Sequence, residues 1–238
     1  LRDAAMKLHT VDQAPREGKA PAQRPVSNWA PGRVEYLSFL RDSLEVYTAF
    51  EEIIDKTEGL EGLRDTGLER SEALRKDMKF FEDKYKLKMP KVGQPGRAYA
   101  TYLRTLADKQ ADKQADGQQN EGQQDPNSNN AVNNANDNAN DNNDWLPRFV
   151  CHYYNHYFAH TAGGRMIGKK MGDLLLDSHT LNFYQWSGDV RSHMEGVKNE
   201  IDGMAEGWGE EGREICLEET GNTFRYAGGL LAYMRGPT

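Results

Sequence analysis

The stretch FVCHYYNHYFAHTAGGRMIGKK, residues 149–170, decides how the rest of the sequence is interpreted. Its apolar and aromatic side chains recur at helical spacing, and this period continues to residue 176. Gly163 and Gly164 nevertheless lie in its middle, and Gly168 follows one turn later. An interior glycine costs a helix about 1 kcal/mol relative to alanine. The pair therefore predicts a kink, a closely packed backbone or a flat ligand lying where no Cβ would fit.

Three histidines precede the glycine pair at intervals of four residues, namely His152, His156 and His160. This spacing puts three imidazoles near one face of a helix, which suits a zinc pair. However, the sequence holds no Glu-x-x-His motif and no cysteine cluster beside them. Helix rotation also spreads the three side chains and favours separate surroundings for them. The spacing alone therefore does not predict a dedicated metal site.

The chain has 238 residues and a formal net charge of −7. That charge gives no support to a nucleic-acid partner, and the lack of any run of eighteen apolar residues predicts no membrane-spanning segment. The two cysteines, Cys151 and Cys216, have no ligand spacing and suit a reducing compartment. The sequence begins at Leu1 in a helical pattern, so we expect that any transit segment lies outside this chain.

Helical periodicity dominates the chain and predicts an all-α fold, with residues 1–238 forming a single domain. Prolines and glycines interrupt the pattern near residues 15–31 and 90–96. Hardly any segment alternates with period two, so strands are not expected. The predicted helices cover residues 1–14, 32–55, 64–86, 99–107, 145–176, 190–208 and 210–234, and residues 178–186 are predicted to form a turn.

Residues 107–144 differ in composition from the segments on either side. The tetrapeptide ADKQ occurs at 107–110 and again at 111–114, and Gln, Asn, Gly and Asp dominate the rest. Such a segment has little apolar surface to bury, so nothing compensates for the entropy lost on ordering it. We predict a low-complexity, flexible insertion between two core helices, which a surface connection tolerates.

Four separated motifs together resemble the heme oxygenases, and in particular the chloroplast branch of plants and algae. The motifs are HYFAHTAGGRMIGKK at 156–170, MKLHTVDQ at 6–13, TGLERSEAL at 66–74 and CLEET at 216–220. The resemblance covers the chain except for the insertion, where that branch needs only a short connection. It implies a heme oxygenase-like helical bundle.

The resemblance also implies an activity. A ferredoxin-dependent heme oxygenase uses dioxygen and electrons from reduced ferredoxin to cleave heme, which is both substrate and cofactor. The expected products are biliverdin (as the IXα isomer), carbon monoxide and ferrous iron. The biliverdin would supply bilin biosynthesis, and the expected location is the chloroplast stroma. Neither nucleic acid nor membrane is an expected partner.

Two alternatives share this architecture. One is a non-catalytic heme- or tetrapyrrole-binding protein of the same fold, which would lack the histidine that ligates the iron. The other, more distant, is a thiamin-degrading or di-iron carboxylate protein, although a di-iron site needs Glu-x-x-His pairs that the sequence lacks. In the family pattern, the proximal iron-ligating histidine falls on His9. His9 together with the pair Gly163 and Gly164 argues against the non-catalytic alternative.

The same pattern implies roles for other residues. His160 matches the distal position, where its expected role is in a water network. Gly163 and Gly164 match the place where helix backbone approaches the porphyrin. Arg2 and Lys198 match basic positions suited to the heme propionates. The expected remaining heme contacts are Tyr154, Phe158 and Phe224.

Three basic side chains close to the glycine pair form a patch in an otherwise acidic chain: Arg165, Lys169 and Lys170. Such a patch suits docking of an acidic electron donor by electrostatic steering, and the similar plastid enzymes use ferredoxin, which is acidic. The alternative is a solvated helix face whose lysines interact favourably with the helix dipole. The sequence leaves both explanations open.

Overall fold

The structure, a computed structural model, describes residues 29–120 and 144–236, with side chains described outside 109–120. Helices joined by short turns fill these ranges and no strand occurs in them, which confirms the predicted all-α fold. His9, Arg2 and the predicted helix at 1–14 lie outside the described residues, and the single domain over 1–238 stays a prediction. The helices are α1 Arg33–Lys56, α2 Ser71–Tyr85, α3 Gln94–Asn120, α4 Trp145–Ala159, α5 Arg165–Leu175, α6 Val190–Glu206 and α7 Gly209–Leu231.

Helix α1 lies at the centre of the core and packs against α2 and α3, whereas α4 packs mainly against α7. More than half of the residues of α1 are buried, and they cover most of its circumference, as a helix at the centre of a core requires. Phe50 is fully buried and its ring meets the rings of Phe149 and Tyr99 at centroid distances of 5.6 and 6.2 Å. Burying each such ring stabilises the fold by about 1.5–3 kcal/mol. None of the described helices is long and apolar enough to cross a bilayer.

The carboxylate of Asp42, on α1, holds the N-terminus of α3. It accepts hydrogen bonds from the amides of Gly93 (2.6 Å) and Gly96 (2.9 Å) and from the hydroxyl of Tyr233 (3.1 Å). A negative charge at this end satisfies amides that have no partner within the helix. A Cβ on Gly96 would lie 2.7 Å from the Cβ of Asp42, so the close approach of α1 and α3 requires glycine there.

Helix α2 begins at Ser71 and not at residue 64, so the predicted start was wrong. The side chain of Glu69 accepts hydrogen bonds from the amides of Thr66 (2.8 Å) and Gly67 (2.9 Å), and Gly67 has a φ of +80°. Bonds of this local kind compete with the helical pattern, and a positive φ excludes it. Residues 64–70 therefore form a turn before α2.

Helix α3 continues past Ala107 to Asn120, so the predicted insertion does not begin at 107 as a loop. Alanine, lysine and glutamine in the ADKQ repeat are good helix formers. Extending an existing helix also avoids the cost of nucleating a new one. Composition did not indicate that the start of this segment would prolong the preceding helix. Residues 121–143 of the predicted insertion lie outside the described ranges.

Candidate functional site

The glycine pair lies in a π-helical turn, His160–Gly164, which joins α4 to α5. The predicted helix over 145–176 is therefore helical from Trp145 to Leu175, and the glycine pair marks a π-helical turn within it. A π-helical turn is wider than an α-helical one and is found mostly as a single turn inside α-helices, often at functional sites. The turn follows the aromatic end of α4 and precedes the basic residues of α5.

The imidazole of His160 is held in place by Phe183. Its Nε2 donates a hydrogen bond to the backbone carbonyl of Phe183 (2.8 Å), and its ring stacks on that of Phe183 with a centroid distance of 4.0 Å. Because a carbonyl only accepts, Nε2 must carry the proton and Nδ1 is left as an acceptor. Part of the residue is exposed, but its ring is enclosed by aromatic side chains. Burial lowers the pKa of His160 to about 3, so the imidazole is neutral at neutral pH.

The two glycines have different surroundings. A Cβ on Gly164 would lie 2.5 Å from Nδ1 of His160, so Gly164 makes room for the imidazole. By contrast, a Cβ on Gly163 would meet no described atom within 4 Å. Gly163 therefore offers the open, side-chain-free backbone of the turn. The expected approach of a ligand to either glycine stays a prediction.

Asp77, on α2, positions the carbonyl to which His160 binds. Its carboxylate accepts hydrogen bonds from the amide (2.8 Å) and side-chain nitrogen (2.7 Å) of Asn182 and from the amide of Phe183 (2.7 Å). Burial raises the pKa of Asp77, and these three donors oppose that effect by favouring the carboxylate. A buried acid far away in the sequence thus holds the short helix Asn182–Tyr184 under the π-helical turn.

Arg70 places a buried positive charge beside the same turn. Its guanidinium donates to the carbonyls of Gly67 (3.3 Å), Leu68 (3.1 Å) and Gln185 (2.5 Å), and it lies 4.8 Å from the ring centre of Trp186. Burial lowers the pKa of Arg70, although an arginine stays charged at neutral pH. Because the carbonyls fix the side chain, its charge has a constant position.

Polar atoms that lack a protein partner lie close to the rings of Tyr47 and His160. Among the described side chains, His156 Nε2, the Tyr157 hydroxyl and Trp186 Nε1 are buried without a hydrogen-bond partner. The Tyr47 ring centre lies 4.7 Å from that of His156 and 5.0 Å from that of Tyr157. Buried polar atoms of this kind usually bind water or a ligand. These three polar atoms can therefore hydrogen-bond ordered water near the turn.

Other predicted contact residues lie on three helices. On α4, the rings of Tyr154 and Phe158 stack with a centroid distance of 4.3 Å, one turn before the π-helical turn. Phe224 is half-buried on α7. Lys198, on α6, is exposed, and its nitrogen lies 3.9 Å from Asp202 and 4.0 Å from Glu195. Ion pairs this long and exposed are weak, so Lys198 can turn toward another anion.

The three histidines of α4 and the π-helical turn have separate surroundings. His152 contacts Glu219 and Tyr99, His156 lies among aromatic rings, and His160 binds the Phe183 carbonyl. Over residues 29–120 and 144–236, no group of three or more His, Cys, Asp and Glu side chains could hold a metal ion. The spacing of four is therefore used for packing along one helix.

The basic patch is exposed at Arg165 and Lys169, and Lys170 is half-buried. Lys169 pairs with Asp173 at 3.0 Å on the same helix. Met166 and Leu174 are 56% and 50% exposed beside these charges. An apolar centre with a charged rim is typical of a transient protein-docking surface.

No protein-family model matches the chain. Two curated plant proteins match almost all of it. Heme oxygenase 1, chloroplastic, of Oryza sativa subsp. japonica is 38% identical over 236 residues, which are 98% of this chain and 69% of the rice protein. Heme oxygenase 3, chloroplastic, of Arabidopsis thaliana is 36% identical over 236 residues, 97% of this chain and 70% of its own length. The chain belongs to the heme oxygenase family.

The family also includes relatives with a different description. Probable inactive heme oxygenase 2, chloroplastic, of Arabidopsis thaliana is 28% identical over 205 residues, which are 85% of this chain and 56% of that protein. The chain is thus more similar to the heme oxygenases that are not described as inactive. Membership of the family confirms the resemblance inferred from the four sequence motifs.

Proposed function

We propose that this chain is an active heme oxygenase, which converts heme to biliverdin, carbon monoxide and ferrous iron with dioxygen and electrons from reduced ferredoxin. Its similarity to relatives named as heme oxygenases, at 36–38% over nearly the whole chain, supports this function. The proposed product is the IXα isomer. A non-catalytic heme-binding protein of the same fold is the alternative outcome of the experiment below.

The observation that carries the proposal is the open backbone at Gly163 above the enclosed imidazole of His160. A flat macrocycle needs a wall without side chains, and Gly163 supplies one. The stacked rings of Tyr154 and Phe158, which precede this turn on α4, would add an apolar surface beside it. The unpartnered polar atoms under the turn fit the water that a site for dioxygen chemistry requires. The described residues therefore fit heme.

We assign the remaining contacts as follows. His9, which lies outside the described residues, would ligate the iron, as a neutral imidazole is suited to do. Arg2 and Lys198 would pair with the propionates, and Phe224 would form an apolar wall. When bound, heme supplies both the iron at which dioxygen is activated and the ring carbon that is oxidised.

The residues under the turn would hold water and would not donate protons directly. With a pKa of about 3, His160 carries no proton at Nδ1 at neutral pH, and its Nε2 proton is engaged by the Phe183 carbonyl. His160 therefore acts by position: it keeps Gly164 and the turn in place and offers Nδ1 as an acceptor. The Tyr157 hydroxyl and Trp186 Nε1 can donate to the water beside it. Protons would then reach the site through this water.

We further propose that reduced ferredoxin docks on the exposed α5 surface and that the protein acts in the chloroplast stroma. The charges of Arg165 and Lys169 and the neighbouring apolar side chains of Met166 and Leu174 suit an acidic protein surface. The relatives are named as chloroplastic, which supports the location.

The test is reconstitution of the chain with hemin, followed by dioxygen and reduced ferredoxin. We expect the Soret band to give way to biliverdin absorbance. His9→Ala should abolish the Soret band of histidine-ligated ferric heme. A stable heme complex that yields no biliverdin would instead support the non-catalytic alternative.

Gly163→Val tests whether heme binds against the open backbone at Gly163. We expect it to block heme binding and to leave the fold of the heme-free protein unchanged, because its Cβ position is open. Gly196→Val is the matched control, since Gly196 is also open and lies across α6 from Lys198. Normal heme binding and unchanged product regiochemistry in Gly163→Val would rule out this site.

A further inference from the structure

A second buried polar assembly joins α3, α4 and α7, away from the π-helical turn. Glu219, His152 and Tyr99 are at most 1% exposed. His152 Nε2 lies 2.8 Å from a carboxylate oxygen of Glu219, and His152 Nδ1 lies 3.0 Å from the Tyr99 hydroxyl. The three side chains thus form one hydrogen-bonded line through the core.

The direction of each proton follows from the partners. Tyr102 and Arg148 both donate to Glu219 at 2.6 Å. Burial opposes ionisation of Glu219, but the hydrogen bonds from His152, Tyr102 and Arg148 prevail and lower its pKa to about 2. Glu219 is therefore a carboxylate and can only accept, so Nε2 of His152 carries a proton.

The other nitrogen of His152 is consequently an acceptor. Burial lowers the pKa of His152, so the imidazole is neutral and its contact with Glu219 is a hydrogen bond between a neutral ring and a carboxylate. Nδ1 then accepts from the Tyr99 hydroxyl. The Thr223 hydroxyl lies farther from Nδ1, at 3.4 Å, and donates to the Glu219 carbonyl at 3.3 Å.

The hydrogen-bonded line of Tyr99, His152 and Glu219 provides an acceptor for the phenolic proton of Tyr99. A buried phenol loses an electron readily only if its proton can leave at the same time, because a buried cation is costly. We propose that Tyr99 is a redox-active tyrosine, which gives one electron to a one-electron oxidant while its phenolic proton moves to Nδ1 of His152. The products are a neutral Tyr99 radical, an imidazolium on His152 and the reduced oxidant. Glu219, already ionised, stabilises the imidazolium at 2.8 Å.

Aromatic rings connect Tyr99 to the surface. Its ring stacks on that of Tyr226 at 4.9 Å and 12°, and Tyr226 lies 5.0 Å from the ring of Tyr102. Both of these outer tyrosines are half-buried. An oxidising equivalent on Tyr99 can therefore pass outward through stacked rings.

Rings also connect Tyr99 to the turn that carries His160. The His156 ring lies 5.5 Å from that of Tyr99 and 4.7 Å from that of Tyr47, which is 5.9 Å from the ring of His160. The assembly would thus remove stray oxidising equivalents from a site of dioxygen chemistry and carry them to the surface. The redox role of Tyr99 goes beyond the proposed function, and only the source of the oxidant, dioxygen chemistry at the heme, rests on that function.

The test uses the full chain without heme, so its outcome does not depend on heme oxygenase activity. A photogenerated ruthenium(III) tris-bipyridine oxidises the protein, and electron paramagnetic resonance of the frozen sample detects tyrosyl radicals. We expect a neutral radical in the unaltered protein and loss of most of its signal in Tyr99→Phe. Tyr36→Phe is the matched control, because among the described residues the buried Tyr36 hydroxyl bonds only the phenol of Tyr184 (3.0 Å), which is a poor base.

A second variant tests the proton acceptor. His152→Gln keeps a polar side chain beside Glu219 but cannot take up a proton, so the radical should be lost although Tyr99 is present. In the unaltered protein, exchange into D2O should place a deuteron hydrogen-bonded to the radical oxygen in the electron–nuclear double resonance spectrum. An unchanged radical in Tyr99→Phe or in His152→Gln, or no such deuteron, would overturn the proposal even if one variant folds poorly.

Discussion

The hydrogen bonds of Asp77 make a quantitative prediction about how the turn under the site is held. Asp77→Ala removes three bonds, two from Asn182 and one from the amide of Phe183, at 2.7–2.8 Å. Bonds to a charged acceptor contribute about 1.5–3 kcal/mol each. Asn182 is exposed and its groups can turn to water, whereas the Phe183 amide stays buried and unsatisfied. We therefore expect a loss of about 3–5 kcal/mol in the free energy of unfolding.

Urea unfolding followed by circular dichroism measures this loss in the heme-free protein. Asp83→Ala on the same helix is the control, since the Asp83 side chain is exposed and its ion pair, within the part of the chain that the structure describes, is with exposed Lys79. We expect little change there. Since Phe183 presents the carbonyl for His160, nitrogen NMR of the imidazole should also show a lost hydrogen bond in Asp77→Ala. A loss below about 1 kcal/mol, with the His160 signal unchanged, would refute the role assigned to Asp77.

Three further predictions concern the same region. In the folded protein the pKa values of His156 and His160 are about 3, whereas an ordinary histidine has a pKa of 6.5. Between these two pH values the unfolded chain therefore binds more protons than the folded protein, and the free energy of unfolding decreases as the pH falls below 6.5. From pH 7 to pH 5 we expect the free energy of unfolding to fall by about 2–4 kcal/mol for the pair, and equal urea midpoints at both pH values would contradict this. Gly164→Ala should lower the free energy of unfolding by about 1–2 kcal/mol and displace the His160 ring. Gly163→Ala should leave the free energy of unfolding unchanged or raise it by up to about 1 kcal/mol. A urea-unfolding measurement in which Gly163→Ala is the less stable variant would contradict the surroundings described for the two glycines. The double variant Arg165→Glu and Lys169→Glu should raise the KM for ferredoxin several-fold, most strongly at low salt, without altering heme binding. The control Lys76→Glu on α2 should leave this KM unchanged. A rise in KM that does not depend on ionic strength would argue against docking at this surface.

Sequence patterns predicted the bounds of the helices well where burial in the core decides them. The recurrence of apolar side chains at helical spacing gave nearly correct bounds for α1, because burial in the core determines where that helix begins and ends. The start of α2 was missed because Glu69 binds the backbone of Thr66 and Gly67, an effect of local hydrogen bonding that periodicity does not report.

The site was predictable only in part. The glycine pair stood out because glycine is costly in a helix, and the family motifs supplied the expected roles of His9 and His160. The sequence did not indicate the buried side chains that hold the site and the neighbouring helices in place. Asp77 lies 105 residues from Asn182, and Glu219 lies 67 residues from His152, so nothing local in the sequence connects them. The available signal was the presence of Arg70 and Glu219 within two of the motifs.

The π-helical turn fixes the rotational phase between α4 and α5. Each turn of this type takes up one residue more than an α-helical turn, so the two helices are offset by a single position. Removing one residue from 160–164 would restore an unbroken α-helix and rotate everything after it by about 100°. Gly168 would then no longer face the ring of Tyr184, against which it packs closely. Tolerance to point changes and tolerance to deletions should therefore diverge sharply in these five residues.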